Sequence, residues 1–125
     1  MTDRAAAGRW FLVISLSSVL LAASACHSYH IDATIENRTG ASVRLLEVDY
    51  PSASFGVDSL AAGVSFQYRF QVRGDGPLKL SYLATGGKQV QITGPALTER
   101  QQGQVRIVLL PDAKAAFFPS LTPRP

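Results

Sequence analysis

The chain has 125 residues, of which 46% are hydrophobic and 17% are charged, and its formal net charge is +3. This length leaves room for one domain and little more. Intrinsic disorder and a polytopic membrane protein are both excluded, because the apolar residues are numerous but, beyond the first stretch, are dispersed among Gly, Pro, Ser, Thr and Gln.

The first stretch of the chain has the pattern of a secretory signal. Arg4 and Arg9 precede an uncharged apolar run that starts at Trp10 and ends in small residues at positions 22–25. A membrane-spanning helix needs about 20 apolar residues, whereas a signal peptide has a basic start, a shorter apolar run and small residues at its end. We therefore predict a helical signal peptide over residues 1–25.

The only cysteine of the chain follows directly. The segment from Leu21 to Cys26, LAASAC, resembles the lipobox of a bacterial lipoprotein precursor. The resemblance implies cleavage before Cys26, a diacylglyceryl group on its thiol and acylation of the new amino terminus. The segment departs from the family at Ala23, where Leu is usual. Residues 23–25, ASA, also fit an ordinary secretory cleavage site, and an uncleaved anchor is the third alternative.

The isolation of this cysteine is an independent reason to expect lipidation. A secreted domain with one cysteine cannot form an internal disulfide and would expose a reactive thiol at its first residue. Acylation removes that thiol, and several acyl chains hold a protein on a membrane far more firmly than one. We expect attachment to a membrane through lipid on Cys26, in the bacterial cell envelope, with residues 26–30 as a tether. His27 stands where the inner-membrane retention signal of the family has Asp, so in a host with two membranes the resemblance favours the outer membrane. A periplasmic location is the alternative.

The charge balance argues against a nucleic-acid partner. Arg4, Arg9 and Asp3 leave with the signal, and the remaining domain is then nearly neutral. A dedicated nucleic-acid binder carries a dominant basic patch. We expect no nucleic acid among the partners.

Beyond residue 30 the hydrophobic period is 2. The clearest case is residues 64–73, VSFQYRFQVR, in which apolar and polar side chains alternate strictly. Such alternation gives a strand one apolar and one polar face, whereas a helix would scatter the same residues around its axis. Weaker runs, separated by turns that contain Gly and Pro, occur at residues 31–35, 55–57, 78–82, 88–92 and 104–110.

Residues 42–50 change phase in the middle. Val43 and Leu45 share one parity, while Leu46 and Val48 share the other. A β-bulge near Leu45 and Leu46 would keep both sets facing inward, and a strand buried on both faces is the alternative.

These runs predict an all-β fold. About seven short strands without a long amphipathic helix favour an antiparallel immunoglobulin-like β-sandwich over residues 31–112, with a small barrel as the alternative. The predicted core consists of Ile31, Ile35, Leu45, Val48, Phe66, Tyr68, Phe70, Leu80, Tyr82, Ile92, Ile107 and Leu109.

Residues 113–125 are predicted to form a Pro-rich C-terminal tail. Its prolines favour an extended conformation. Phe117 and Phe118 have two interpretations: they pack back on the domain as a final edge, or they form a peptide that binds a partner.

Catalytic chemistry has little support in this sequence. The two histidines, His27 and His30, lie where the tether meets the first strand, with Asp32 nearby. Zinc needs three or four rigidly held ligands, so we expect no metal. A catalytic triad would have to recruit its base from the tether, and acylation of Cys26 removes the only thiol nucleophile. We therefore expect neither an enzyme nor a cofactor. Asn37, Arg38 and Thr39 fit a glycosylation sequon, which in a bacterial host is a chance match.

The polar side of residues 64–73 is the most suggestive surface. It carries Gln67, Arg69, Gln71 and Arg73. Such a face can contact sugars, anionic headgroups or a protein, and the alternative is a solvated face whose charges discourage aggregation. We expect a non-catalytic structural or protein-interaction role, with carbohydrate or small-ligand binding through this face as the alternative. Other strands can extend the face with Gln89, Gln91, Gln104 and Arg106.

Overall fold

The computed structural model describes residues 29–122, so the predicted signal peptide and Cys26 lie outside the described residues. This part of the chain forms eight strands and one short 3-10 turn, Thr85–Gly87, and contains no helix that is long and apolar enough to cross a membrane. The strands are β1 (Ile31–Asn37), β2 (Val43–Tyr50), β3 (Ala53–Leu60), β4 (Ser65–Phe70), β5 (Gly76–Leu83), β6 (Gln89–Leu97), β7 (Gln102–Leu110) and β8 (Lys114–Thr122).

The strands form two four-stranded sheets. The first sheet has the order β4-β1-β7-β8 and the second has the order β3-β2-β5-β6. Their inward side chains pack against each other in one core, so the predicted all-β sandwich is confirmed, with eight strands in place of about seven. One pair, β1 with β7, is parallel, and the other pairs are antiparallel.

The sandwich has two distinct ends. The proximal end holds Ile31, where β1 starts, and the distal end holds Asn37, where β1 finishes. The register places Gly103 beside Ile31 and Leu109 beside Asn37, so β7 runs in the same direction. The turns after β1, β3, β5 and β7 therefore all lie at the distal end.

Most of the predicted core is buried. Phe66 and Ile92 are partly buried, whereas Leu45 is 55% exposed and Tyr68 is 43% exposed, so these last two assignments were wrong. The predicted core residues that are buried are Ile31, Ile35, Val48, Phe70, Leu80, Tyr82, Ile107 and Leu109.

A β-bulge explains the exposure of Leu45. The pairing of β2 with β5 shifts between Arg44 and Glu47, and Leu45 has a positive φ of 49°. Val43 and Leu46, on either side, are both buried. The predicted bulge is therefore present. A bulge inserts one unpaired residue into a strand, and here that residue is Leu45, which points outward while Val43 and Leu46 point inward.

Sheet order explains the exposure of Tyr68. Its parity in β4 is the expected one, but β4 is an edge strand and has no neighbour on its other side. Tyr68 stacks on Phe55 of β3, with ring centroids 4.5 Å apart and an interplanar angle of 12°. The phenol therefore covers the open side between the two sheets rather than lying within the core.

The sandwich continues beyond Asp112, its predicted end. Strand β8 pairs with β7 along its whole length. Phe117 points inward, where its ring occupies the space that a Cβ at Gly94 would need, at 2.7 Å. Pro119, which has no backbone N–H, is tolerated because β8 is an edge strand and pairs on one side only. Residues 114–122 therefore pack on the domain as its final edge strand, which was one of the two interpretations of this segment, and the predicted domain end at Asp112 was wrong.

Asn37 organises the distal end from inside the protein. It is fully buried, and its Nδ2 donates to Leu60 O at 2.9 Å and to Ala41 O at 2.8 Å. Its Oδ1 accepts from the Thr39 N–H at 3.0 Å. The nitrogen that a glycan would need is thus enclosed and already used, which gives a structural reason to regard the sequon as a chance match.

Candidate functional site

The four residues of the predicted binding face are all exposed. Gln67 and Arg69 point away from the core on β4, and Gln71 and Arg73 follow the end of that strand with the same parity. A strand alternates its side chains between two faces, so the local pattern was sufficient to identify this side of β4.

The outer face of the first sheet unites residues that are distant in sequence. Thr34 lies beside Gln67 on one side and Arg106 on the other, and Arg106 lies beside Phe118. Phe118, predicted as a tail contact, therefore shares one surface with the predicted Gln/Arg face. We use "outer face" for the surface formed by Asp32, Thr34, Glu36, Gln67, Arg69, Gln104, Arg106 and Phe118.

Two of the residues expected to extend this face do not belong to it. Gln89 and Gln91 lie on β6, at the edge of the second sheet, where β6 pairs with β5. Gln104 and Arg106 do join the face, because β7 is adjacent to β1. Parity indicates which side of a strand is polar, but only sheet order assigns that side to a surface.

Ion pairs neutralise the arginines of the outer face. Arg69 Nε donates to Asp32 Oδ1 at 2.8 Å. Arg106 binds Glu36 with two hydrogen bonds, of 2.9 and 3.0 Å, and Arg38 reaches the same carboxylate at 3.1 Å. The hydrogen bonds from Arg69 and Arg106 lower the pKa of Asp32 and Glu36, respectively. The sequence alone does not identify these two acids as partners of the arginines, because the pairing depends on strand register.

Phe118 is the large apolar group exposed on this face. It is 52% exposed, and the Arg106 guanidinium carbon lies 5.2 Å from its ring centroid. That distance is within cation–π range. Phe117, its neighbour in sequence, is instead half-buried against the core. The two phenylalanines therefore have different roles, one in packing and one on the surface.

A shallow groove of about 440 Å³ lies at the proximal end, beside the outer face. Tyr50 and Tyr68 contribute aromatic rings, and Gln71 Nε2 lies 3.3 Å from His30 Nε2. Arg73 lines the same groove and makes no ion pair with any described residue. The groove thus contains three of the four predicted face residues, together with aromatic surface that the sequence did not associate with them.

Residues 29–122 contain no cluster of three or more His, Cys, Asp or Glu side chains that could hold a metal ion. The carboxylates of the outer face are paired with arginines.

Comparison with known proteins supports the fold and no activity. No family model matches this chain, and no curated protein matches it. An NMR structure of a protein from Eubacterium rectale is similar, with a TM-score of 0.54 and 15% sequence identity over 73% of this chain and 88% of that one. This chain therefore shares a β-sandwich fold with that protein, and the likeness extends to the fold alone.

Proposed function

We propose that this chain is a lipid-anchored, extracytoplasmic protein of the bacterial cell envelope that binds a partner protein through the outer face and has no catalytic role. The observation that carries the binding proposal is the convergence of Gln67 and Arg69 from β4 with Phe118 from β8 on one surface. The anchoring proposal rests on the resemblance of LAASAC to a lipobox.

The chemistry of the outer face favours a protein over other partners. Aromatic and Arg side chains are enriched at protein interfaces, and Phe118 with Arg106 supplies both. Because Arg69 and Arg106 are already paired with carboxylates, the surface lacks the single-sign potential that attracts nucleic acid or anionic headgroups. A flat sheet also offers a partner protein more contact area than it offers a small ligand.

The tether would place this face close to a membrane. The predicted tether of residues 26–30 is shorter than expected, because His30 is held on the domain, where its carbonyl accepts from the Gly103 N–H at 3.1 Å. Residues 26–28 would span about 10 Å if fully extended. The proximal end of the sandwich would then lie nearest to the lipid, while the outer face runs along the strands away from it. A partner in the same membrane, or in the space beside it, could reach the outer face.

The mature amino-terminal peptide tests the anchor. We expect mass spectrometry to find cleavage before Cys26 and an acylated cysteine at that position, and we expect Cys26→Ser to move the protein out of the membrane fraction. A free Cys26 thiol in the mature protein would contradict lipidation and would leave ordinary secretion as the explanation of the signal.

Affinity capture from detergent-solubilised envelope tests the outer face. Truncation of an interface hot spot costs about 2 kcal/mol or more, so Phe118→Ser and Arg69→Ala should each reduce recovery of a specific partner about tenfold or more. Lys79→Ala is the matched control, since Lys79 is an exposed cation on the second sheet. A partner recovered equally with all three variants would rule out this face.

Carbohydrate binding in the proximal groove is the second candidate. The observation that favours it is Tyr68, which is 43% exposed beside Gln71 and Arg73. An exposed ring next to amide and guanidinium donors suits a sugar. Glycan-array binding that disappears with Arg73→Ala but persists with Phe118→Ser would favour this function over a protein partner.

A further inference from the structure

A second cavity, the distal pocket, opens at the end of the sandwich opposite to Tyr29. Its volume is about 500 Å³, and it lies where the turns after β1, β5 and β7 meet. Small-molecule pockets usually enclose about 300–1,000 Å³. None of the site residues predicted from the sequence lines this pocket, so it is separate from the outer face.

Tyr82 is one of the residues that line the distal pocket. It is only 2% exposed, and within residues 29–122 its hydroxyl has no hydrogen-bond partner. The described residues include no fully enclosed side-chain polar atom without a partner. The hydroxyl must therefore reach the surface of the cavity. Burial also raises the pKa of this phenol above its usual value of 10.0, so the group remains a proton donor at neutral pH.

A hydroxyl that reaches a cavity and has no partner within the protein is open to hydrogen bonding with water or with a ligand. Val43 and Val90 line the pocket together with Tyr82, and Thr39, Ser42 and Thr85 add polar side chains. The pocket thus combines apolar side chains with hydroxyl groups, and small-molecule sites likewise combine apolar walls with a few polar groups.

The rim carries one charge of each sign. Lys88 comes from the turn after β5 and Asp112 from the turn after β7. Neither forms an ion pair within the described part of the chain. A ligand with one sign of charge would be attracted by one of these groups and repelled by the other, whereas a zwitterion can satisfy both.

The walls of the pocket are fixed in advance. Thr39 Oγ1 lies 2.7 Å from Asn37 Oδ1, so the turn after β1 is held by the buried asparagine. Asp112 and Ala113 have positive φ values of 64° and 57°, a conformation that costs non-glycine residues free energy and that fixes the direction of the turn after β7. A preformed pocket loses less conformational entropy when a ligand binds.

We propose that the distal pocket binds a zwitterionic amino acid or dipeptide with apolar side chains. The ligand carboxylate lies toward Lys88 and its ammonium lies toward Asp112. The Tyr82 hydroxyl donates a hydrogen bond to a carbonyl or carboxylate oxygen, and the apolar side chain packs on Val43 and Val90. This site is independent of the outer face and of the proposed partner protein.

Calorimetric titration of the full-length mature protein in detergent micelles tests this site, with leucine and leucyl-leucine as probes. We expect saturable binding of at least one probe. Loss of one hydrogen bond or one charge contact, at about 1.4 kcal/mol for each factor of ten, should weaken binding about tenfold in Tyr82→Phe, Lys88→Gln and Asp112→Asn. A dipeptide blocked at both ends should bind at least about tenfold more weakly.

Two controls keep the test interpretable. Lys79→Gln removes an exposed cation far from the pocket and should leave affinity unchanged. Tyr82→Phe should leave the thermal unfolding midpoint unchanged or higher, because the hydroxyl it removes has no partner. The proposal is overturned if neither probe binds, if the blocked dipeptide binds equally well, or if Tyr82→Phe and Lys88→Gln retain full affinity. Phe118→Ser should not change probe binding, so a failure of the outer-face proposal can be distinguished from a failure of the distal-pocket proposal.

Discussion

Asn37→Asp should lower the free energy of unfolding by about 3 kcal/mol or more at neutral pH, since burial of an uncompensated charge costs more than the roughly 1–3 kcal/mol of an unmade hydrogen bond. Asn37 is fully buried, and its Nδ2 donates to two backbone carbonyls, those of Ala41 and Leu60. A carboxylate would place an oxygen against both carbonyls. The substitution therefore exchanges two attractions for two repulsions at almost constant volume.

Urea denaturation at two pH values measures this effect. Burial raises the pKa of a carboxyl above its unfolded value, so the folded Asn37→Asp variant should regain stability as the pH falls below its folded pKa, until the unfolded carboxyl also protonates near about 4. Gln91→Glu is the control, because it makes the same amide-to-acid change at an exposed position and should stay within about 0.5 kcal/mol of the parent. Equal midpoints for the two variants would contradict the role given to Asn37.

Gly103→Ala should destabilise the sandwich by about 2–4 kcal/mol, from backbone strain and overpacking together. Gly103 has a φ of 133°, which L side chains rarely adopt. A Cβ at this position would also collide with the carbonyl oxygen of Ser120 on β8. The edge strand would have to move away from β7 at the proximal end.

Gly40→Ala separates the two causes. Gly40 also has a positive φ, 88°, but a Cβ there would meet nothing within 4 Å, so the expected cost is about 1–2 kcal/mol of backbone strain alone. Hydrogen exchange should show faster opening of β8 in Gly103→Ala and not in Gly40→Ala. If both variants lose the same free energy of unfolding and β8 exchanges at the same rate in both, the close approach of Ser120 does not contribute to stability.

The candidate surfaces were only partly accessible from sequence. The polar side of β4 followed from alternation, and Gln67 and Arg69 lie where that alternation predicts. The acidic partners of the arginines could not be predicted in this way, because Asp32 and Arg69, for example, are 37 positions apart in the chain. Tyr82 was predicted as a core residue, and it is buried. Its position beside a cavity could not be predicted, because the turns after β1, β5 and β7 that form this cavity meet only in the folded chain.

The sequence by itself determined the local properties of this protein. Period-2 alternation set which side chains point inward, and the phase change in β2 predicted a bulge, because both depend on the pleat of a single strand. Tertiary structure decided the rest. It placed β4 at the edge of a sheet, which exposes Tyr68. It also paired β8 with β7, which directs Phe117 toward the core and Phe118 toward the surface. Sheet order and register arise from burial summed over the whole core, and no single segment encodes that sum.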